Sequence, residues 1–234
     1  MTQLITSNYV PISTQPIAWF DASDMSTVIK SGTDRLSRWR DKSGNGNDAI
    51  QNNGTNQPTW TAAQQNGLPT IVFNGTHLLS GPSGLYTICN GDNAVFVVAK
   101  RNTEAATQNS IMAIYRSGVA TGLRMDFSAT AGNINFQNSD ASPATSTGNT
   151  NTNYNVITGR REGTLEGISV NGGVEVTTAS ATSYASSLSF DIGMQNGSIL
   201  LTGGIGEMIF FNTALSLGDR QTIEAYLKAK WGTP

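Results

Sequence analysis

The amino-acid sequence predicts an all-β domain with one short helix near its C-terminus. Short apolar segments recur along the 234 residues and are separated by turns rich in Gly and Asn, a pattern typical of antiparallel strands. Leu123, Met125 and Phe127 alternate with polar residues, as expected where one face of a strand meets a core and the other meets solvent. A helical period is sustained only near the end of the chain.

Residues 1–16 are predicted to form an extended N-terminal arm. They include Pro11 and Pro16 among polar residues and show no sustained period. Two alternatives stay open: the arm is tied loosely to the domain, or it docks on another subunit. The segment lacks the basic region and the apolar run of a secretory signal, so we expect synthesis in a cytoplasm.

The strands that follow differ in their expected burial. Residues 94–99 form a continuous apolar run, short enough for a strand that is buried on both faces. Val170 and Val174 flank a segment that reads Asn-Gly-Gly, and this segment predicts a hairpin turn because Asn and Gly tolerate positive φ.

The C-terminal helix is predicted to span 217–231. Ser216 can cap its first turn, and Gly232 provides the stop. Glu224 is expected to pair with Lys228 on the solvent side. The apolar stripe consists of Ile223, Leu227 and Trp231. We expect this helix to close an edge or an end of the β structure.

Composition argues against several classes of partner. Charged residues make up 13% of the chain, and the formal net charge is −2. This balance gives no electrostatic reason to expect nucleic acid or an anionic membrane as a partner, and no segment has the length of an apolar bilayer span. Cys89 is the single cysteine, so it cannot form an internal disulfide and is expected to be a small buried residue.

Four segments carry a family pattern. They are 19–24 (Trp-Phe-Asp-Ala-Ser-Asp), 39–49 (Trp-Arg-Asp-Lys-Ser-Gly-Asn-Gly-Asn-Asp-Ala), 68–75 (Leu-Pro-Thr-Ile-Val-Phe-Asn-Gly) and 203–216. In this order, across nearly the whole chain, they resemble the laminin-G-like, concanavalin-A-like jelly-roll family found in phage virion and bacterial surface proteins. The resemblance implies an antiparallel jelly-roll β-sandwich, with residues 17–234 in one domain that includes the helix. Trp19 and Trp39 are expected to anchor its core.

The resemblance also provides a test for catalysis, because related jelly rolls include glucan hydrolases. Their nucleophile and their general acid lie on one strand within the pattern Glu-x-Asp-x-x-Glu, at the separation that suits retaining hydrolysis. Here Glu207 is followed at those positions by Ile209 and Asn212, so this catalytic strand is absent. His77 is the single histidine, and no nucleophile elbow is readable, so we expect no enzyme.

By alternation, Glu207 should share an apolar face with Ile205 and Ile209, where an unpaired carboxylate is costly. Backbone N–H groups of a loop or an Arg could satisfy it, and a bound cation is the alternative. No cofactor is required, and calcium is the candidate ion. The candidate ligands are Asp21, Asp24, Asp41, Asn45, Asn47 and Glu207.

Two observations point to these calcium ligands. Asp41, Asn45 and Asn47 stand at alternate positions of a Gly-bearing loop, as in calcium loops, although the bidentate Glu of an EF-hand is missing. The alternative is a structural role, because in the resembling family this segment is a tight turn whose Asp and Asn side chains cap their own backbone. Many relatives bind calcium at loops near one rim, and this adds Asp21 and Asp24.

Sugar binding would require a partly exposed aromatic ring near amides or carboxylates. The candidates are Trp60, Tyr115, Arg116 and Tyr154. Each ring could instead pack under a loop.

Three functions remain open. Low charge, the abundance of Asn, Thr, Gly and Ser, and the arm favour a non-enzymatic virion-surface protein: a phage decoration, fibre or tail module that meets other virion proteins or further copies of itself. It could also hold cell-surface glycan weakly through many copies. The alternative is a carbohydrate-binding module of a bacterial surface system, and a polysaccharide hydrolase or lyase comes third.

Overall fold

The structure, a computed structural model, describes residues 12–104, 107–115, 121–138, 142–180 and 189–234. Within these ranges the protein is an antiparallel jelly-roll β-sandwich with one C-terminal helix, as the sequence predicts. The elements are β1 (Ala18–Asp21), β2 (Val28–Ser31), β3 (Arg35–Trp39), β4 (Ala49–Ile50), β5 (Thr59–Gln65), β6 (Leu68–Asn74), β7 (Leu79–Gly81), a 3₁₀ helix (Ser83–Asn90), β8 (Asn93–Arg101), β9 (Asn109–Tyr115), β10 (Thr121–Phe127), β11 (Ile134–Gln137), β12 (Ala144–Ser146), β13 (Asn155–Glu162), β14 (Leu165–Val170), β15 (Val176–Ala179), β16 (Ser189–Ile192), β17 (Met194–Gln195), β18 (Ile199–Leu200), β19 (Thr202–Phe211) and α1 (Leu217–Trp231).

The strands form two layers. The front layer runs β15, β14, β13, β8, β19, and β1 and β6 pair with different parts of the other edge of β19. The back layer runs β12, β11, β10, β9, β16, β7, β4, β3, and β2 follows at its end. Because β5 pairs with both β6 and β3, it joins the two layers into one hydrogen-bonded network.

Aromatic side chains fill the space between the layers. The rings of Phe190 in the back layer and Phe210 in the front layer meet edge to face, with centroids 5.6 Å apart. Phe20 packs against both Phe210 and Trp39. The burial expected of Trp39 is confirmed, and Cys89 is buried as well.

A β-bulge in β19 changes which residues share a face. Ile205 pairs with Ala99 of β8, whereas Glu207 pairs with Val98, the neighbouring residue. Gly206 is therefore the extra residue, and the bulge places Ile205 and Glu207 on opposite faces of the front layer. The expectation that they share a face was wrong, because simple alternation assumes a strand without a bulge.

Helix α1 has the predicted ends. The hydroxyl of Ser216 accepts a hydrogen bond from the backbone N–H of Asp219 at 3.1 Å. At the other end Gly232 has a φ of +60° and donates its N–H to the carbonyl of Lys228. The local sequence thus determines both ends of the helix.

The position of α1 differs from the prediction. The helix lies across the outer face of the front layer. There the carboxylate of Glu224 accepts hydrogen bonds from Thr158 on β13 and Ser169 on β14, at 2.6 and 3.0 Å. The expected pair of Glu224 with Lys228 was therefore wrong. Lys228 donates instead to the backbone carbonyl of Asn171.

The boundary of the N-terminal arm also shifts. Ile12 and Pro16 fall within the predicted arm of residues 1–16, yet both side chains are buried. Asn45 donates to the carbonyl of Pro16 at 3.2 Å. Residues 12–16 therefore belong to the packed domain, and residues 1–11 lie outside the described ranges. Neither helix of the described part of the chain has the length and apolar character needed to cross a membrane.

Candidate functional site

A cluster of polar side chains lies between α1 and the front layer. Asp21 of β1 and Glu207 of β19 stand opposite each other and are 2% and 0% exposed. Lys230 of α1 donates to both carboxylates, at 2.8 and 2.7 Å. The cluster therefore ties the helix to the sheet by a buried ion pair with two acceptors.

Four side chains donate hydrogen bonds to the carboxylate of Glu207. The indole N–H groups of Trp19 and Trp231 each donate to it at 2.7 Å, and the hydroxyl of Tyr226 donates at 3.1 Å. Together with Lys230 these groups satisfy both carboxylate oxygens. The sequence-based expectation of loop N–H groups or an Arg was wrong, because residues of the distant helix supply most of the donors.

Burial and charge together set the pKa values of this cluster. Burial by itself would raise the pKa of Asp21, but attraction from Lys230 and Lys42 outweighs burial and holds that pKa below its ordinary value. Burial, followed by the negative charge of Asp21, raises the pKa of Glu207. Burial would lower the pKa of Lys230, and the two carboxylates reverse this and raise it. Lys230 therefore stays charged between two acids.

Lysine ammonium groups contact the acids that the sequence offered as calcium ligands at this place. Lys230 lies against Asp21 and Glu207, and Lys42 lies 3.0 Å from Asp21 and 3.1 Å from Asp24. A divalent ion would have to displace these cations. Within the described ranges no three His, Cys, Asp or Glu side chains are grouped as a metal site.

The loop that follows β3 is organised by its own side chains. The carboxylate of Asp41 accepts from the backbone N–H groups of Trp19, Ser43 and Asn47, each at 2.9 Å. The amides of Asn45 and Asn47 donate to the carbonyl of Ile17, at 3.2 and 2.7 Å. These contacts match the tight-turn interpretation, and they use the Asp41 oxygens that a calcium ion would need.

A further polar place is a cavity of about 350 Å³ on the back layer. This volume lies near the lower end of the range usual for small-molecule sites. The cavity is lined by Ser80, Gly81, Tyr115, Ser189, Phe190, Asp191 and Met194. The pairing of β7, β16 and β9 brings these residues together, because Asp191 stands opposite Ser80 on one side and Ala113 on the other.

Asp191 is the acid of this cavity and is 3% exposed. Its two oxygens accept hydrogen bonds from the hydroxyls of Ser80 and Tyr115, each at 2.6 Å. Burial, together with the hydrogen bond and charge of Asp191, raises the pKa of Tyr115. The phenol therefore keeps its proton and remains a donor. Ser80 and Ser189 are exposed and present further hydroxyls at the rim.

The sequence-based sugar candidates are not brought together. Tyr115 lines the cavity, whereas Trp60 lies on β5, half-buried, with the ammonium of Lys30 4.3 Å from its ring centre. Tyr154 is 3% exposed and shares a hydrogen bond with Thr70, so its ring is not the exposed platform that the sequence suggested. Arg116 lies outside the described residues.

Sequence reasoning missed Asp191, Ser80 and Ser189. The segment Ser189-Phe190-Asp191-Ile192 alternates polar and apolar residues, which indicates a strand with a polar face. That alternation was the one available signal, and it does not show which strands lie beside it.

The residues that line the cavity do not form a recognisable catalytic pair. Asp191 is the one carboxylate among the residues that line the cavity, and hydrolysis by the glucan-hydrolase mechanism needs two. His77 lies elsewhere, buried, with Nε2 2.7 Å from a guanidinium nitrogen of Arg35. The geometry therefore suits binding through hydroxyl and carboxylate groups.

No protein-family model matches the chain, and no curated protein matches its sequence. Its structure is similar to that of Trypanosoma rangeli sialidase in complex with sialic acid, with a TM-score of 0.66 and 12% identity, over 96% of this chain and 34% of the sialidase. It is also similar to the binding domain of botulinum neurotoxin serotype D/C, with a TM-score of 0.58 and 11% identity, over 94% of this chain and 55% of that one. A botulinum neurotoxin DC binding domain in complex with SialylT matches with a TM-score of 0.58 and 11% identity, over 94% of this chain and 54% of that one.

These likenesses show a shared all-β fold. At 11 and 12% identity they do not single out the laminin-G-like family, so the resemblance holds at the coarser level of an all-β fold. The chain spans about a third of the sialidase, whose activity belongs to that whole protein.

Proposed function

We propose that the protein is a non-catalytic carbohydrate-binding domain whose site is the cavity around Asp191. The observation that carries the proposal is a buried carboxylate that lines a small cavity and has two hydroxyl donors beside it. Sugars bind to proteins largely through hydroxyls, which donate to carboxylates and exchange hydrogen bonds with Ser and Tyr. Each Asp191 oxygen accepts one side-chain hydrogen bond and has a further lone pair for a ligand.

The all-β fold agrees with this role without proving it, because one fold hosts many functions. A sialidase structure with sialic acid and a toxin binding domain in complex with SialylT share the fold, which supports a proposal of glycan binding.

Attachment to a virion surface is the finer part of the proposal and rests on the composition of the chain and on residues 1–16. In that setting, many weak sites on one particle would hold a cell-surface glycan strongly through effective concentration. Removal of residues 1–11 tests the attachment while leaving the buried Ile12 and Pro16 in place.

The proposed site is tested by a glycan panel followed by calorimetry with each glycan that binds. Tyr115→Ala should weaken binding about tenfold or more, because it removes a ring and a donor from the cavity. Ser189→Ala should weaken it by a smaller factor with little risk to folding, since Ser189 is exposed at the rim. Trp60→Ala is the matched control, an aromatic that does not line the cavity.

The proposal fails if the wild type retains no glycan, or if Trp60→Ala abolishes binding while Tyr115→Ala and Ser189→Ala bind normally. Release of reducing sugar from a bound glycan would overturn the non-catalytic part.

A further inference from the structure

We infer that the cavity selects uncharged sugars and rejects acidic ones such as sialic acid. This inference rests on the proposed carbohydrate-binding function and deepens it. It departs from the sialic acid and SialylT bound in the structures with a similar fold, whose likeness to this chain is one of fold alone.

The charge of the cavity carries the argument. Asp191 lines it, is 3% exposed, and accepts from two neutral donors, the hydroxyls of Ser80 and Tyr115. Within the described ranges no Lys or Arg nitrogen lies within the 4.0 Å ion-pair distance of its carboxylate. Among the described residues, the cavity therefore has one negative charge and no cation paired with it.

Among the described residues, Arg124 is the nearest basic residue in the same row of paired strands, and it contacts a different acid. Arg124 stands opposite Ala113, which in turn stands opposite Asp191, so two strand spacings separate Arg124 from the acid. The guanidinium Nε of Arg124 lies 3.5 Å from the carboxylate of Asp126, an acid that is fully buried. Arg124 therefore contacts Asp126 and forms no ion pair with Asp191.

The charge of Asp191 affects any ligand in the cavity, because the cavity is small. A sugar carboxylate placed there would lie within several ångströms of Asp191 and would be repelled strongly, because a partly buried site screens charge poorly. A sugar hydroxyl at the same place donates to Asp191 and gains a charge-assisted hydrogen bond. Both effects favour a neutral, hydroxyl-rich ring.

The test compares matched ligands on the full chain. Each neutral oligosaccharide that binds is measured by calorimetry beside the same oligosaccharide with a terminal sialic or uronic acid. We expect the neutral member to bind about tenfold or more tightly. Asp191→Asn keeps the shape of the side chain and removes its charge, so the ratio between the two members should fall to about threefold or less. Asp34→Asn is the control, because Asp34 is exposed and does not line the cavity.

The outcomes separate this inference from the proposed function. Tighter binding of the acidic member to the wild type, with Tyr115→Ala still impaired, overturns the charge selection and leaves carbohydrate binding in place. Absence of binding to every neutral and acidic sugar overturns both. Because the wild-type comparison needs no variant, the inference stays testable even if Asp191→Asn does not fold.

Discussion

At the scale of residues, the carboxylate of Glu207 is a buried acid with hydrogen bonds to both of its oxygens. Two indoles, a phenol and an ammonium donate to it, and Asp21 shares that ammonium. A buried ion pair adds little over a well-packed apolar pair, but removal of one partner leaves an uncompensated charge and is strongly destabilising. The cluster thus fixes where α1 sits and makes Lys230 hard to replace.

Lys230→Met should lower the free energy of unfolding by about 3 kcal/mol at pH 7, because two buried acids lose their shared cation. The folded-state pKa of Asp21 lies below its ordinary value of 3.8. Its ion pair therefore contributes stability that is present above that value and is lost as the pH falls through the folded pKa. The difference between variant and wild type should accordingly shrink as the pH approaches and passes below about 4.

Urea unfolding across this pH range measures the effect. Arg38→Met is the matched control, since it removes a cation from an exposed ion pair with Asp48 and should cost less than about 1 kcal/mol. A Lys230→Met deficit that stays constant from neutral pH to pH 3 would contradict the ion-pair account.

At the scale of elements, the contact between β19 and α1 depends on the bulge at Gly206. The bulge turns Glu207 towards the helix, and the missing side chain of Gly206 leaves room for the ring of Trp231. The packing of α1 against β19 therefore depends on the absence of a side chain at Gly206.

Gly206→Ala should destabilise the protein by about 2 kcal/mol, because the added methyl group would lie 2.8 Å from the Trp231 ring in a packed interface. Thermal unfolding measures the loss, and Trp231 fluorescence should report a changed environment. In the control Gly54→Ala, the new methyl group meets no atom within 4 Å. Equal melting temperatures for the two variants would show that this close approach is not a constraint.

At the scale of the whole molecule, the two layers differ in what lies against them. The outer face of the front layer is covered by α1 and its ion pairs. The back layer carries the cavity with Asp191 and its hydroxyl neighbours. The cavity proposed to bind a ligand therefore lies on the layer that the helix does not cover.

An ion that binds the folded state raises its melting temperature. Because we expect no calcium to bind, calcium at about 1 mM, or its removal with a chelator, should change the melting temperature by less than about 1 °C. The physical reason is that Lys42 and Lys230 already neutralise the candidate acids Asp21 and Glu207. A saturable rise in melting temperature with calcium, abolished by Asp41→Asn, would show that the loop after β3 binds the ion after all.

The sequence by itself determined the all-β class, the ends of α1 and the burial of Trp39 and Cys89. Each depends on local information: the period of the apolar residues, a capping hydroxyl, a glycine with positive φ, or the low polarity of one side chain. Such signals act within a few residues, so they can be read without knowing which strands are neighbours.

Only the tertiary structure decided the partners of Glu207 and Glu224, the change of face at Gly206 and the cavity around Asp191. Ser80 and Tyr115 are 111 and 76 residues away from Asp191 in the chain and meet it because β7, β16 and β9 are paired. Strand pairing at such separations depends on the packing of the whole core, and no local pattern encodes it. For that reason the sequence indicated Tyr115, one residue of the candidate site, and the fold supplied the carboxylate beside it.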